Sequence, residues 1–444
     1  MPLAEENPLS RDPPLILPVV IVGNGPSGIC LSYMLSGYRP YLSPEALHPN
    51  PILHSKLEEA RHLSILEQDM EGSILTLSLN DWMELPGLKF KDWAMGKRRN
   101  IKSDRATPAE VASYYKHYVK IMGIQRNFID NTYITSVVRP YRDPDDSVNQ
   151  DPEEVSCEES HIDKENEADP KKNWEVHGYR RAADGSHKPF CVFAESLVLA
   201  TGTFDARARL DVLGENLPYV SHSVAEFEEA VGKGSLSGAV DPVLIVGAGL
   251  TAADAVLCAH NNNIPVIHAF RRRLNDPSLI FKQLPKKLYP EYHKVYHMMC
   301  TQVSSAASTS YPSYTSYPEH FVLSFKPDMK CVLQNNGGLK KVVKISMALV
   351  LIGSHPNLFF LKEQGRSLGH HQNQPITCKG NPVEVDPYTY ESCKEPSLFA
   401  LGPLVGDNFI RFLKGGALAI TRCLGLRQKK RHGNVESGSD DGVS

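Results

Sequence analysis

Three short apolar runs, at residues 19–22, 243–246 and 347–352, end in or beside glycine, and mixed stretches of helical spacing separate them. Runs of this length are too short for helices and too uniformly apolar for a sheet with one wet face. They predict strands of parallel sheets covered on both sides, and the order strand, glycine turn, helix predicts an α/β architecture. Other stretches break the pattern. Residues 143–170 hold twelve acids, from Asp143 to Asp169, against the single cation Lys164, which predicts a solvated, disordered insertion whose acidic surface suits a protein partner. Residues 301–318, rich in Ser, Thr, Tyr and Pro, predict a loop, while residues 1–14 and 428–444 read as polar tails, the latter disordered.

The first run leads directly into Gly23-Asn24-Gly25-Pro26-Ser27-Gly28, and a helix follows. A G-x-G-x-x-G between strand and helix is a dinucleotide-binding signature with a defined mechanics. Gly23 permits the tight turn, Gly25 admits a pyrophosphate to the backbone, and Gly28 lets helix and strand approach closely. The helix N-terminus then offers free N–H groups and the positive end of its dipole. An acid about 20 residues on should hold the ribose; Glu45 and Glu67 compete for that role.

The second run repeats the design as Gly247-Ala248-Gly249-Leu250-Thr251-Ala252, with Ala252 in the third glycine position. The next strand ends in Arg271-Arg272-Arg273, where an NAD site would carry an acid. A guanidinium there matches a 2′-phosphate through paired charge-assisted hydrogen bonds, so Arg271 and Arg272 point to NADPH.

Composition narrows the class. Across 444 residues, 48 Lys and Arg meet 51 Asp and Glu, a formal charge of -3 that gives no basic field for nucleic acid. The length accommodates about two to three domains. No apolar stretch approaches the ~18 residues of a bilayer span. The acidic, proline-containing N-terminus is unlike a signal peptide, so the expected address is cytoplasm or nucleus rather than the secretory route. Nine scattered cysteines without a C-x-x-C pair argue against structural zinc and against a dithiol reductase, and no resident metal is expected.

Two dinucleotide turns at 23 and 247 are similar to the arrangement of two-nucleotide flavoproteins, in which an NADPH domain interrupts an FAD domain. Leu199-Ala200-Thr201-Gly202 resembles the segment leaving the FAD domain, and residues 347–353 its return. Leu401-Gly402 with Gly406-Asp407 resembles the segment in which an acid meets the flavin ribityl chain, ahead of a final helix from Gly415-Gly416. Arg105 to Val111, with Thr107 as N-cap and Pro108 in the first turn, resembles a helix of single-component flavin monooxygenases. At finer grain residues 21–36, 200–205, 241–270, 283–294 and 402–417 resemble the oxidative stress-induced growth inhibitor family.

That resemblance implies an FAD-binding domain at 15–215 and 346–427, interrupted by an NADPH-binding domain at 216–345. It also implies monooxygenase-like activity with FAD and NADPH, and a link to growth restraint, cell death, cytokinesis or meiosis and germ-cell maturation. Gly23, Gly25, Gly28, Gly202 and Asp407 would serve FAD, and Gly247, Gly249, Ala252, Arg271 and Arg272 would serve NADPH. Catalysis would rest on the cofactors, with no catalytic side chain identified and the substrate, small molecule or protein, unspecified.

Two departures bear on this. Ile65 to Met70 joins directly to Glu71-Gly72-Ser73-Ile74, so the Gly-Gly-x-Trp of flavin monooxygenases is absent there. Their F-x-G-x-x-x-H fingerprint is degenerate at Leu213-Gly214 and Tyr219-Val220-Ser221-His222, which keeps the histidine and loses the glycine. Both features fit a second reading, a flavoprotein-fold regulator that binds NADPH or protein partners without turnover.

Overall fold

The computed structural model describes residues 14–38, 76, 78–96, 105–140, 173–236, 241–301 and 312–436. Residues 1–13, the acidic stretch 143–170, and both Glu45 and Glu67 lie outside the described residues. The chain divides into two compact units, one formed by Met1–Asp205 with Pro356–Ser444, the other by Ala206–His355.

In chain order the first unit opens with strand β1 (Ile16–Val22) and helix α1 (Pro26–Leu35). It continues through α2 (Phe90–Gly96), α3 (Pro108–Ile121), β2 (Thr132–Val138), β3 (Trp174–Arg181) and the long β4 (His187–Leu199). The second unit holds β5 (Ala206–Arg207), β6 (Val220–Ser221), α4 (Val224–Gly232), β7 (Val243–Val246), α5 (Leu250–Asn261) and β8 (Val266–Phe270). It goes on with α6 (Ile280–Gln283), α7 (Pro290–Thr301), β9 (Tyr314–Pro318), β10 (His320–Lys326), β11 (Lys330–Asn335), β12 (Lys340–Lys344), β13 (Met347–Val350) and β14 (Ser354–His355). The chain then returns to the first unit for β15 (Leu398–Ala400) and α8 (Ile410–Glu436).

Strand β4 explains the layout of the first unit. Its early residues alternate, with Phe190, Val192 and Ala194 buried between less buried neighbours, whereas Ser196 to Leu199 are all buried. The alternating half pairs antiparallel with β3, and β3 with β2, giving a meander with one open face. The buried half lies between β1 and β15, parallel to both, with Val198 opposite Ile21 and Phe399. A parallel segment needs cover on both faces. One side is the cluster of Ile29, Leu31, Tyr114, Tyr118, Ala417 and Ile420, and the other includes Val22, Leu199, Leu361, Leu398 and Leu404.

Helix α3 begins as its sequence predicts. The Thr107 hydroxyl accepts from Glu110 N at 3.3 Å and the Glu110 carboxylate accepts from Thr107 N at 2.8 Å, a reciprocal capping box with Pro108 in the first turn. Its Tyr114, Tyr115 and Tyr118 are fully buried, and Tyr114 packs on Phe90 with ring centres 4.5 Å apart.

The second unit carries the parallel sheet β6-β13-β7-β8-β9 and the antiparallel meander β10-β11-β12. Leu244, Val246, Ile267 and Ala269 of the sheet share a core with Val322, Phe325 and Leu333 of the meander. Strand β9 falls inside the stretch expected to be a loop. Its Tyr and Thr residues favour pleated structure, and Tyr314 is buried against β8. The last helix also departs from expectation. It begins at Ile410 rather than at Gly415-Gly416, and it runs to Glu436, past the start of the expected tail.

Those two glycines sit inside the helix, where Gly416 makes room for a ring: a Cβ there would stand 2.6 Å from Tyr390 Cε1. In an open helix, glycine to alanine gains up to about 1 kcal/mol, but overpacking a core costs about 1–3 kcal/mol. Gly416→Ala is therefore expected to lower the thermal midpoint. Gly425→Ala in the same helix, where a Cβ meets nothing within 4 Å, is expected to raise it. Equal shifts of one sign in calorimetry would refute the packing role of Gly416.

Candidate functional site

The C-terminal ends of β1, β4 and β15 converge on the first glycine turn. Gly23 adopts φ +114°, and a Cβ on it would lie 2.4 Å from the Ala200 carbonyl oxygen just past β4. Only glycine fits there. A Cβ on Gly28 would lie 2.1 Å from Gly23 O, so the third glycine seats α1 on the turn, as the sequence predicts. Gly25 is the N-cap of α1. It brings no side-chain cap, Pro26 follows, and the first turn holds no acid, so the helix end is open to an anion. Gly202 lies beyond the end of β4 with φ +69° and nothing within 4 Å of where its Cβ would be. Beside it the enclosed Thr201 hydroxyl has no hydrogen-bond partner among the described residues.

Asp407 reaches the same end through β15. Its N–H donates to Gly402 O at 3.1 Å, and Gly402 in turn packs where a Cβ would be 2.3 Å from Ser27 Oγ of α1. The Asp407 carboxylate accepts from Tyr390 OH at 3.1 Å, and burial pushes its carboxyl up to about 6. The first unit thus brings Gly23, Gly25, Gly28, Gly202 and Asp407 to one edge of one sheet. This is where ligands of open α/β sheets bind. Ser27, Thr201 and Tyr390 join them. Their contacts are long-range, and no local spacing announces them.

The second unit repeats the turn around different supports. Gly247 has φ +128°, and its Cβ would be 2.2 Å from Leu351 O at the end of β13. Gly249 caps α5 with no side-chain bond, no first-turn acid and nothing within 4 Å of a Cβ. Ala252 is fully buried, so this turn tolerates a methyl where the first does not. His268 on β8 pins the turn from beneath. Its Nε2–H donates to Gly247 O at 2.6 Å, its Nδ1 accepts from Tyr314 OH at 2.7 Å, and burial pushes its pKa down to about 4. The imidazole is neutral, and its tautomer is set by the carbonyl it serves.

The arginine triplet that follows β8 separates by partner. Arg273 pairs with Glu319 at 2.9 Å, and Arg272 donates to Ser278 O at 2.9 Å with Asp276 3.9 Å away. Arg271 is exposed and carries no partner among the described residues. It lies two positions after Ala269, whose carbonyl accepts from Gly247 N at 3.0 Å, so its backbone adjoins the glycine turn. Sequence alone left Arg271 and Arg272 equivalent; the geometry favours Arg271 as the free cation.

His222 faces a buried carboxylate. Glu215 is 3% exposed, and its side chain accepts from His222 Nε2 at 2.8 Å, Leu210 N at 2.9 Å and Asp211 N at 2.8 Å. These bonds outweigh desolvation and hold the Glu215 carboxyl below its usual range. Trp93 is core, whereas Trp82 is partly exposed with the Arg411 guanidinium 4.4 Å from its ring centre.

A raised carboxyl gives a signed pH dependence. The Asp407 contribution to stability is present below its ordinary value and is lost as pH rises through about 6. Without added flavin, Asp407→Asn is expected to raise stability near neutral pH by about 1–2 kcal/mol, reduced by solvent screening from the ~3 that two pKa units represent. Near pH ~4, where the acid is already mostly neutral, it is expected to change little. Thermal melts across that range check this, and a gain at acid pH alone would contradict it.

No protein-family profile matches the chain. The chain is 60% identical to oxidative stress-induced growth inhibitor 2 of Homo sapiens over 508 residues, with 100% of each covered. That span is longer than the 444 residues here, so the relative carries sequence that this chain lacks. Identity to oxidative stress-induced growth inhibitor 1 of Homo sapiens is 42%, covering 94% of this chain and 96% of that one. Among solved structures, a bacillithiol disulfide reductase from Bacillus cereus superposes with TM-score 0.58 at 16% identity, covering 92% of this chain and 98% of that one. A thioredoxin reductase from T. acidophilum gives TM-score 0.51 at 13% identity over 91% and 98%. Likeness at such identity concerns the fold, two Rossmann-like domains with the second inserted in the first. With 60% identity to one relative over its whole length and 42% to another over 94% of it, the chain belongs to the oxidative stress-induced growth inhibitor family.

Proposed function

We propose that this chain is an FAD- and NADPH-dependent flavoprotein of the monooxygenase type, acting in growth regulation as its relatives' names indicate. The observation that carries the reading is the pair of glycine turns. In each unit a strand-end carbonyl presses on the first glycine and leaves an open, uncapped helix N-terminus beyond it. The residues fit the two nucleotides. The N-terminal N–H groups of α1 would hold the FAD pyrophosphate, and the enclosed Thr201 hydroxyl, open Gly202 and half-buried Asp407 supply polar ground for the rest. The N-terminus of α5 would hold the NADPH pyrophosphate, with the Arg271 guanidinium on the 2′-phosphate.

Bound together, the two cofactors supply hydride transfer and the reductive activation of oxygen for oxygenating a substrate. The protein's share is binding and orientation: His268 fixes the Gly247 carbonyl, and Tyr390 fixes Asp407. The acidic stretch 143–170 is a proposed protein-contact surface, and cytoplasm or nucleus the proposed address. No helix among the described residues is long and apolar enough to cross a membrane. One observation favours the second reading, a regulator that binds NADPH without turnover: His222 is engaged by the buried Glu215.

Absorption spectra of the purified chain, taken after incubation with FAD and gel filtration, separate the two readings. The proposal expects a retained flavin spectrum that bleaches on anaerobic NADPH. A colourless chain that still binds NADPH would establish the regulator. For the nucleotide itself, Arg271→Ala is expected to weaken NADPH roughly 10–100-fold, the worth of a charge-assisted pair, with NADH nearly unchanged and Arg272→Ala milder. Equal losses for both nucleotides, read by calorimetric titration, would refute the assignment.

A further inference from the structure

The open face of the β2-β3-β4 meander carries a constellation unrelated to either glycine turn. Glu175 and His177 sit two residues apart on β3 and so project to the same face, and Cys191 on β4 stands directly opposite His177 in the register. Glu175 Oε1 is 2.8 Å from His177 Nε2 and 3.6 Å from Cys191 Sγ, and the three donor atoms all lie within 4.8 Å of one another. We propose that Glu175, His177 and Cys191 form a binding site for a zinc-like divalent cation that clips β3 to β4.

The donor set is one carboxylate oxygen, one imidazole nitrogen and one sulfur, the combination that suits a borderline-soft ion. Tetrahedral bonds of about 2.0–2.3 Å place neighbouring donors roughly 3.3–3.6 Å apart, so side-chain shifts of about 1 Å complete the shell, with water as fourth ligand. A partly exposed His–Glu pair contributes little on its own, and the Cys191 thiol joins it by donating to the Glu175 carboxylate at 3.6 Å, which brings all three donors to one point. Burial, together with that carboxylate, pushes the Cys191 thiol up, so it persists as a protonated thiol rather than a reactive thiolate. A bound dication reverses this: the sulfur–metal bond forms, the thiol proton leaves to solvent, and no electron changes hands.

The separation from the nucleotide edge is large. Cys191 lies nine residues before Ala200 along an extended strand, about 30 Å at ~3.3 Å per residue. A metal here stiffens the meander without facing a flavin. Sequence spacing rules find zinc ligands two to four residues apart, so a set built across a register from residues 175, 177 and 191 escapes them.

The full-length chain, reduced and freed of metal by a chelator, would be titrated with Co²⁺ and then with Zn²⁺ in competition. The expected result is a saturable thiolate-to-cobalt charge-transfer band that Zn²⁺ abolishes. It should be lost in Cys191→Ser and shifted to roughly tenfold or weaker affinity in His177→Ala and in the near-isosteric Glu175→Gln. Far-UV circular dichroism would verify that each variant is folded. An undiminished band in Cys191→Ser would place the metal on another of the nine cysteines and overturn the proposal. So would unchanged affinity in folded Glu175→Gln and His177→Ala, or no saturable binding in the parent chain.

Discussion

Each unit is organised around a carbonyl oxygen pressed against a glycine that has no room for a side chain. In the first unit the oxygen belongs to Ala200 and the glycine is Gly23; in the second they are Leu351 and Gly247. Any Cβ at 2.2–2.4 Å from that oxygen would force the turn away from the neighbouring strand. The adjoining bonds Ala200 N to Val22 O and Leu351 N to Val246 O, both 2.8 Å, would open with it. The close approach therefore fixes which strand neighbours which, where each helix begins, and which sheet edge is left open. Because all the strands involved are parallel, their C-terminal ends fall together. The sites follow from the topology rather than being added to it.

The two turns are not copies. Gly28 in the first is compelled by Gly23 O at 2.1 Å from its would-be Cβ, while the second accommodates Ala252. A slacker turn needs another restraint, and His268 supplies it by bonding the Gly247 carbonyl from within the sheet. That support is expensive in isolation, since a fully buried imidazole must stay neutral and have both nitrogens satisfied; Tyr314 on β9 meets the second demand. The edge strand that the composition of residues 301–318 disguises as a loop is thus tied to the geometry of the nucleotide turn.

What the sequence reveals and what it hides divide by range. The glycine turns, the capping box of Thr107 and the uniformly apolar strands are local, and each is legible because its cause lies within a few residues. The arginine triplet is not separable from sequence, because Arg273 is occupied by Glu319, which comes 46 positions later. Asp407 is visible as an acid after Gly406, but its raised carboxyl depends on burial, which the hydrogen bond from Tyr390 offsets only in part, and Tyr390 is admitted by a gap at Gly416. The start of α8 is hidden for the same reason. Gly415-Gly416 reads as a boundary, yet Gly416 is an interior position whose missing side chain is filled by a ring from elsewhere in the unit.

The residues around His222 have structural partners that account for them independently of any chemistry. Gly214 adopts φ +84°, with a would-be Cβ 2.1 Å from Phe325 O, and the preceding Leu213 carbonyl accepts from Phe325 N at 2.8 Å. Glu215 then gathers two backbone N–H groups and the His222 ring, while Arg207 donates to His222 O at 2.9 Å. Removing His222 would take one of three hydrogen bonds from a carboxylate at 3% exposure, leaving it the two backbone N–H groups. Gly214 thus seats this loop on β10 and His222 ties it to Glu215, whether or not oxygen is ever activated nearby. A retained histidine is therefore weak support for oxygenation, and the case for a working flavoprotein rests on the glycine turns and Asp407.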